Sequence, residues 1–263
     1  MLGGLTGLGN QSGADFGERM LNTVASQSIR HLFTSSESVD VAIRCSPSSK
    51  LLQGSVDSFK MGGKKLVIRR AFKVDDMSFE TDAVSIDVRA MLAGKLRLRQ
   101  PTQAVAQVVL TEEAINQAFE AELVQQRMQN VDVEALTNLS GGEPVSFRAV
   151  RVMLQPDNGV VILAKTDLPN RKDVPVSLRA TLAVEKRRRI LFENAEFLSD
   201  SVPDDVQGLS KIVSEVFADI LNGMVDLDRF DLDGVLMRIN RLETRGDQLL
   251  FSGYAQIERV PEN

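Results

Sequence analysis

One cysteine, one histidine and no tryptophan occur among 263 residues, and aromatic side chains make up only 5%. With Cys45 alone, no internal disulfide can form, and a reducing compartment fits the sequence. Any Ser-His-Asp or Cys-His mechanism would have to pass through His31. That residue falls near the end of a predicted helix, where a cation complements the helix dipole. Cys45 is in phase with Val41 and Ile43, as a small inward-facing hydrophobe would be. Glycine-rich phosphate loops of Walker or Rossmann spacing are missing. A net charge of −5 and a pI near 5.2 argue against a nucleic-acid partner. No stretch approaches the 18 or so uncharged apolar residues of a spanning helix, and the N-terminus lacks the basic and apolar regions of a secretory signal. The expected location is therefore the cytoplasm, with peripheral contact at a membrane surface left open.

What the chain does carry is patterned apolar surface. Hydrophobic content is 43% and charged content 25%, the proportions of an ordinary globular protein. A chain of this length buries roughly 70–75% of its unfolded surface. Residues 1–14, rich in Gly, Ser, Asn and Gln, are expected to form a flexible leader, and 15–263 a single domain with an internal loop at 138–144, "NLSGGEP". The segment "DFGERMLNTVASQSIRHLF" predicts a helix capped by Asp15, with Phe16, Met20, Leu21, Val24, Ala25, Ile29, Leu32 and Phe33 at a 3.6 period.

Alternation then takes over. Val39, Val41, Ile43 and Cys45 predict one strand, Leu66 and Ile68 another, and Phe72 and Val74 a third. Met77 and Phe79 fall out of phase with the third, so a bulge or turn is expected near Asp75-Asp76. Val84, Ile86 and Val88 predict a further strand, and Leu96 and Leu98 the next. After Pro101, "AVAQVVL" reads as a strand running into a helix, "LTEEAINQAFEAELVQQRM". Thr111 suits the N-cap, Glu112 and Glu113 suit the first turn, and Ile115, Ala118, Phe119 and Leu123 form one apolar stripe. Hairpins are expected around Asn158-Gly159, at the basic tip Lys186–Arg189 and at Arg245-Gly246-Asp247. "DDVQGLSKIVSEVFADILNGM" predicts a third helix with Val206, Leu209, Ile212, Val213, Val216, Phe217, Ile220 and Leu221 inward. About ten short strands and three amphipathic helices make an α+β protein, because clean alternation belongs to antiparallel rather than buried parallel strands. A helix laid across a curved sheet leaves a tunnel or groove wherever the sheet has more apolar surface than the helix covers.

Three charged features remain. Asp226, Asp228, Asp231 and Asp233 suggest a calcium loop, but Arg229 stands where such a loop needs its first aspartate, and an exposed turn fits the same spacing. Lys186, Arg187, Arg188 and Arg189 form a cluster suited to anionic headgroups or to a charge-protected sheet edge. Lys64, Lys65, Arg69 and Arg70 form a second. The first helix has an apolar face suited to a membrane surface or, given its mixed charges, to the sheet.

The segment "VSIDVRAMLAGKLRLRQPTQAVAQVVLTEEAINQAF" resembles the signature region of the LmeA-like phospholipid-binding family. The resemblance rests on the "SIDV" strand, the Gly94-Lys95-Leu96 step, Pro101, the Ala-Val strand, and "LTEEAINQAF" with Leu110, Thr111, Glu112 and Asn116. Upstream, "GSVDSFKMGGKKLVI" is similar to the family's entry strand. The resemblance implies phospholipid binding and a tubular lipid-binding (TULIP-like) fold, a strongly twisted sheet wrapping long amphipathic helices. Some members sit in the bacterial envelope. This chain, without their N-terminal signal or anchor, is more similar to the cyanobacterial branch. The family brings no catalytic residues and no cofactor.

The leading expectation is thus a non-enzymatic protein that holds acyl chains against Leu21, Ile29, Leu32 and Phe33 of the first helix and Ile115, Phe119 and Leu123 of the second. Lys186, Arg187, Arg188 and Arg189 would meet headgroups. The alternatives are a structural or protein-interaction module with a fully packed core, and an enzyme using carboxylates with a metal at 226–233.

Overall fold

The computed structural model describes residues 11–47, 49–68, 71–229 and 234–259. The chain opens with helix α1 (Gln11–Arg30) and strand β1 (Ser38–Arg44). A one-turn helix α2 (Ser49–Leu52) and a short β2 (Ser55–Val56) lead to β3 (Ser58–Ile68) and β4 (Phe72–Thr81). β5 (Val84–Ser85) and α3 (Val88–Leu92) then precede β6 (Thr102–Thr111). Next come α4 (Glu112–Glu120), α5 (Glu122–Gln125) and α6 (Glu134–Ser140). Four strands follow: β7 (Phe147–Leu154), β8 (Gly159–Leu168), β9 (Arg171–Glu185) and β10 (Arg189–Phe197). The described chain closes with α7 (Gln207–Met224), β11 (Val235–Arg245) and β12 (Gln248–Ile257).

All strand pairings are antiparallel. Six strands form one sheet in the order β1-β3-β4-β6-β12-β11, and four form a second in the order β10-β9-β8-β7. Helix α1 packs beside β1 and α7 crosses β9 and β10, while α4 lies between β4 and β7 and joins the two sheets. This is an α+β architecture built mainly from antiparallel sheet.

The second sheet is closed by α7. Val213, Phe217 and Leu221 are fully buried with Ile162, Leu178 and Val176 in one large cluster, and the Phe147 and Phe217 rings lie 4.7 Å apart. Of the positions expected inward on α7, Ile212 is exposed, and Ser210 and Ser214 are buried instead. The reason is β9. Pro175 and Ser177 bring its backbone against the helix, where the Ser210 hydroxyl donates to the Pro175 carbonyl at 2.6 Å and Ser214 Oγ accepts the Ser177 N–H at 3.0 Å. Small polar side chains allow that approach and satisfy the buried groups.

Other sequence expectations need correction. Residues 11–14 belong to α1 rather than to a leader. The stretch 94–99 is a loop rather than a strand; only Leu98 bridges, to Ile86. The strand expected through Val84, Ile86 and Val88 ends at Ser85, because Asp87 caps α3 by accepting the N–H groups of Arg89 and Ala90. The long helix expected over 110–128 breaks at Ala121, whose backbone is extended, and the break carries Met128 into the second core. Val74 and Met77 are both buried as the phase change requires, yet the β3–β4 register continues unshifted past Asp75-Asp76. The irregularity falls on the partner strand, where Lys65 has a φ of 49°. Of the loop expected at 138–144, residues 138–140 are the end of α6, and 141–144 begin the connection to β7.

Candidate functional site

At one end of the six-stranded sheet lie Arg44, Ser58, Thr81, Thr102, Val235 and Ile257. Both connections that leave this end, β1 to β3 and β4 to β6, pair with each other. Ser55 and Val56 face Ser85 and Val84, and Gly54 O accepts the Ile86 N–H at 2.8 Å. The Asp87 N–H donates to Arg97 O at 2.8 Å, the Arg99 N–H to Ser85 O at 2.9 Å, and the Arg99 guanidinium to Gln53 O at 3.1 Å. Gly54 is required here: its φ is +78°, and a Cβ would sit 2.4 Å from the Ile86 carbonyl oxygen. The two connections therefore form one cap, whose inner residues Leu51, Val56, Val84, Ile86 and Met91 cluster with Ala25 of α1 and with Ile43 and Cys45.

Between sheet, cap and α1 the apolar packing is incomplete: Ile29 shares a buried cluster with Met61, and Phe33 and Phe59 pack against it, yet space remains. The cleft they leave has three walls: Phe59, Met61 and Phe79 on the sheet, Ile29, Leu32 and Phe33 at the end of α1, and Val84, Ile86, Leu96 and Leu98 from the cap. Val235 and Ile257 form part of its edge and are half-buried. The cavity measures about 140 Å³; with its mouth and the crevices between side chains, the atom-free space is about 890 Å³. The enclosed figure matches cavities of about 150 Å³ that stay dry and take up apolar guests. Its exposed wall is wholly apolar. Thr81 keeps that character by donating its hydroxyl to the Asp82 carbonyl at 2.9 Å.

Ile29, Leu32 and Phe33 thus come together in the cleft. The side chain of Leu21 lies outside the described residues. Ile115 and Phe119 pack against the filled core beneath α7, and Leu123 on α5 is 57% exposed. The sheet and cap walls were not singled out from sequence as a site. Their signal was the in-phase alternation of Ile43, Phe79, Ile86, Leu96 and Leu98, which specifies one face and says nothing of what covers it.

The basic turn between β9 and β10 lies at the junction of the two sheets. The Arg187 carbonyl accepts the Ile239 N–H of β11, its guanidinium bonds Asn240 Oδ1, and it sits 5.7 Å from the Tyr254 ring centroid. Arg188 pairs with Asp228 at 2.6 Å and with Asp226 at 3.8 Å; Arg189 pairs with Glu185 at 2.8 Å and donates to Asn222 O. Lys186 is exposed. Asp231, Asp233, Arg69 and Arg70 lie outside the described residues. Lys64 is exposed, and Lys65 pairs with Asp75 at 2.6 Å.

His31 is exposed beyond the last turn of α1. Cys45 is buried, with its thiol donating to Ser55 O at 3.3 Å. Among the described residues no group of three or more His, Cys, Asp or Glu side chains is arranged to hold a metal, and no helix is long and apolar enough to cross a membrane.

A family model described as LmeA-like phospholipid-binding matches residues 13–253, nearly the whole chain and all three walls of the cleft. No curated protein and no solved structure matches it.

Proposed function

The chain belongs to the LmeA-like phospholipid-binding family, and on that premise we propose that the cleft between sheet, cap and α1 holds an acyl chain of a phospholipid without chemical transformation. The observation that carries this reading is a cleft with an entirely apolar wall in a chain whose other sheet is fully packed. Affinity then comes from burying methylenes, about 0.8 kcal/mol each, with no need for orienting polar groups in the interior. On this reading α1 and the sheet act as opposite walls of a tubular lipid-binding arrangement. Ile29, Leu32 and Phe33 touch the chain, and the protein works at the periphery of a membrane.

The packed core around α7 favours a second role for that half, as a rigid platform or interaction module. The two roles divide the molecule between them.

Native mass spectrometry of gently purified protein tests the acyl reading. The expected result is a mass increment of a phospholipid, lost after delipidation and regained on incubation with liposomes. A clean apo mass that gains nothing from liposomes overturns it.

A further inference from the structure

The cap exposes two kinds of side chain, leucines and cations. Leu52, the last residue of α2, is 81% exposed, and Leu92, the last residue of α3, is 65% exposed. They are the most exposed large hydrophobic side chains among the described residues. Their inward neighbours Leu51 and Met91 belong to one buried cluster.

Around them the charge is basic, against an acidic whole. Over 44–57 and 82–100 the cap carries Arg44, Lys50, Arg89, Lys95, Arg97 and Arg99 against Asp57, Asp82 and Asp87, while the chain has a net charge of −5. Two of those three acids are engaged: Asp57 by Lys50 at 2.7 Å, Asp87 by the first turn of α3. The loop 95–99, Lys-Leu-Arg-Leu-Arg, sorts these properties residue by residue. Leu96 and Leu98 line the cleft, whereas Lys95, Arg97 and Arg99 are exposed. One short segment thus presents cations outward and apolar chains inward, in the order in which a phospholipid presents phosphate and acyl chain.

We infer that this cap is the surface by which the protein docks on an anionic phospholipid bilayer. Leu52 and Leu92 enter the interface, and Arg89, Lys95, Arg97 and Arg99 meet the phosphates. Leu96 and Leu98 lead an acyl chain into the cleft. The inference rests on the acyl-binding reading and locates the membrane side of that same site. It assigns the contact to a surface other than the Lys186–Arg189 turn, where Arg188 and Arg189 are held by Asp228, Asp226 and Glu185.

The test is flotation with phosphatidylcholine vesicles, with and without phosphatidylglycerol, run beside uptake of cis-parinaric acid from solution. Wild type is expected to float with phosphatidylglycerol vesicles and to lose binding as salt rises. L52S/L92S is expected to bind them at least about tenfold more weakly. R89Q/K95Q is expected to lose the preference for phosphatidylglycerol. L123S, which removes an exposed leucine elsewhere, is expected to float as wild type. Unchanged parinaric uptake in every variant shows that the fold and cleft persist. Flotation of L52S/L92S equal to wild type overturns the docking surface and leaves the cleft reading standing. The same flotation with a loss of self-association on size exclusion also overturns it, by assigning the face to a second copy of the chain. Failure of wild type to take up parinaric acid counts instead against the cleft, while the flotation series still decides the docking surface.

Discussion

Asp75 holds together the point where β6 becomes α4. Burial works to raise its carboxyl, but Lys65 Nζ at 2.6 Å and the Thr111 N–H at 2.7 Å outweigh burial and hold it below the ordinary carboxylate range. Asp57 is lowered in the same direction by Lys50 and by the Ser46 N–H, and Asp87 by the N–H groups that open α3. For each, the folded value lies below the unfolded one of about 3.9. The stability they contribute is therefore complete above about pH 4 and lost as pH falls through the depressed values. Urea midpoints are expected to stay level from neutrality to about pH 5 and to decline below about pH 4. Asp75→Asn should lower stability at neutral pH by about 1–2 kcal/mol and flatten the acid decline. An acid decline as steep as wild type in that variant would show that Asp75 is not one of its sources.

Between elements, two asparagines join the sheets. Asn116 on α4 donates to Val152 O at 2.9 Å and accepts the Val152 N–H at 2.7 Å, while Glu112 accepts the Leu154 N–H at 2.9 Å. β7 is an edge strand, and a helix supplies these backbone partners by side chain. Asn158, in the turn between β7 and β8, does the same for β11 through Leu242 and Thr244. Asn116→Ala strands both Val152 groups and should cost about 2 kcal/mol in chemical denaturation, with Asn116→Asp, which keeps the acceptor, costing less. A loss under about 0.5 kcal/mol for the alanine variant, the range of an ordinary surface change, would remove the staple from the account. At this scale, legibility in sequence depended on how local the cause was. Thr111 was readable as a cap because its hydroxyl accepts the N–H three residues on, from Ala114, and the turns at Asn158 and Arg245 lie where turn residues interrupt alternation. The break at Ala121 was not readable, since Met128 must reach a core built from residues 136–249. Nor was the exchange of Ile212 for Ser210 and Ser214, which answers to Pro175 and Ser177 on a strand more than thirty residues earlier. Loop 94–99 alternates like a strand because it, too, has one apolar and one solvated side.

Taken whole, the molecule sets a filled sheet beside one that leaves a cleft. The apolar pattern of both was legible, and so was the family, but a void is not. Ile115 and Phe119 carry the same helical signal as Ile29 and Phe33, yet the first pair packs against the core beneath α7, while the second packs against the other sheet and also borders the cleft. About 140 Å³ admits only a stretch of one acyl chain, so a longer one must part the walls or emerge into solvent. The most direct test fills that cleft. Val235 is half-buried at the cleft's edge, so a larger side chain can be tolerated there, and Val235→Trp can be titrated with cis-parinaric acid beside wild type after its thermal midpoint has been matched. The account predicts saturable uptake by wild type and at least about tenfold weaker uptake by the variant, or about 1.4 kcal/mol. Equal affinities in the two proteins would contradict it.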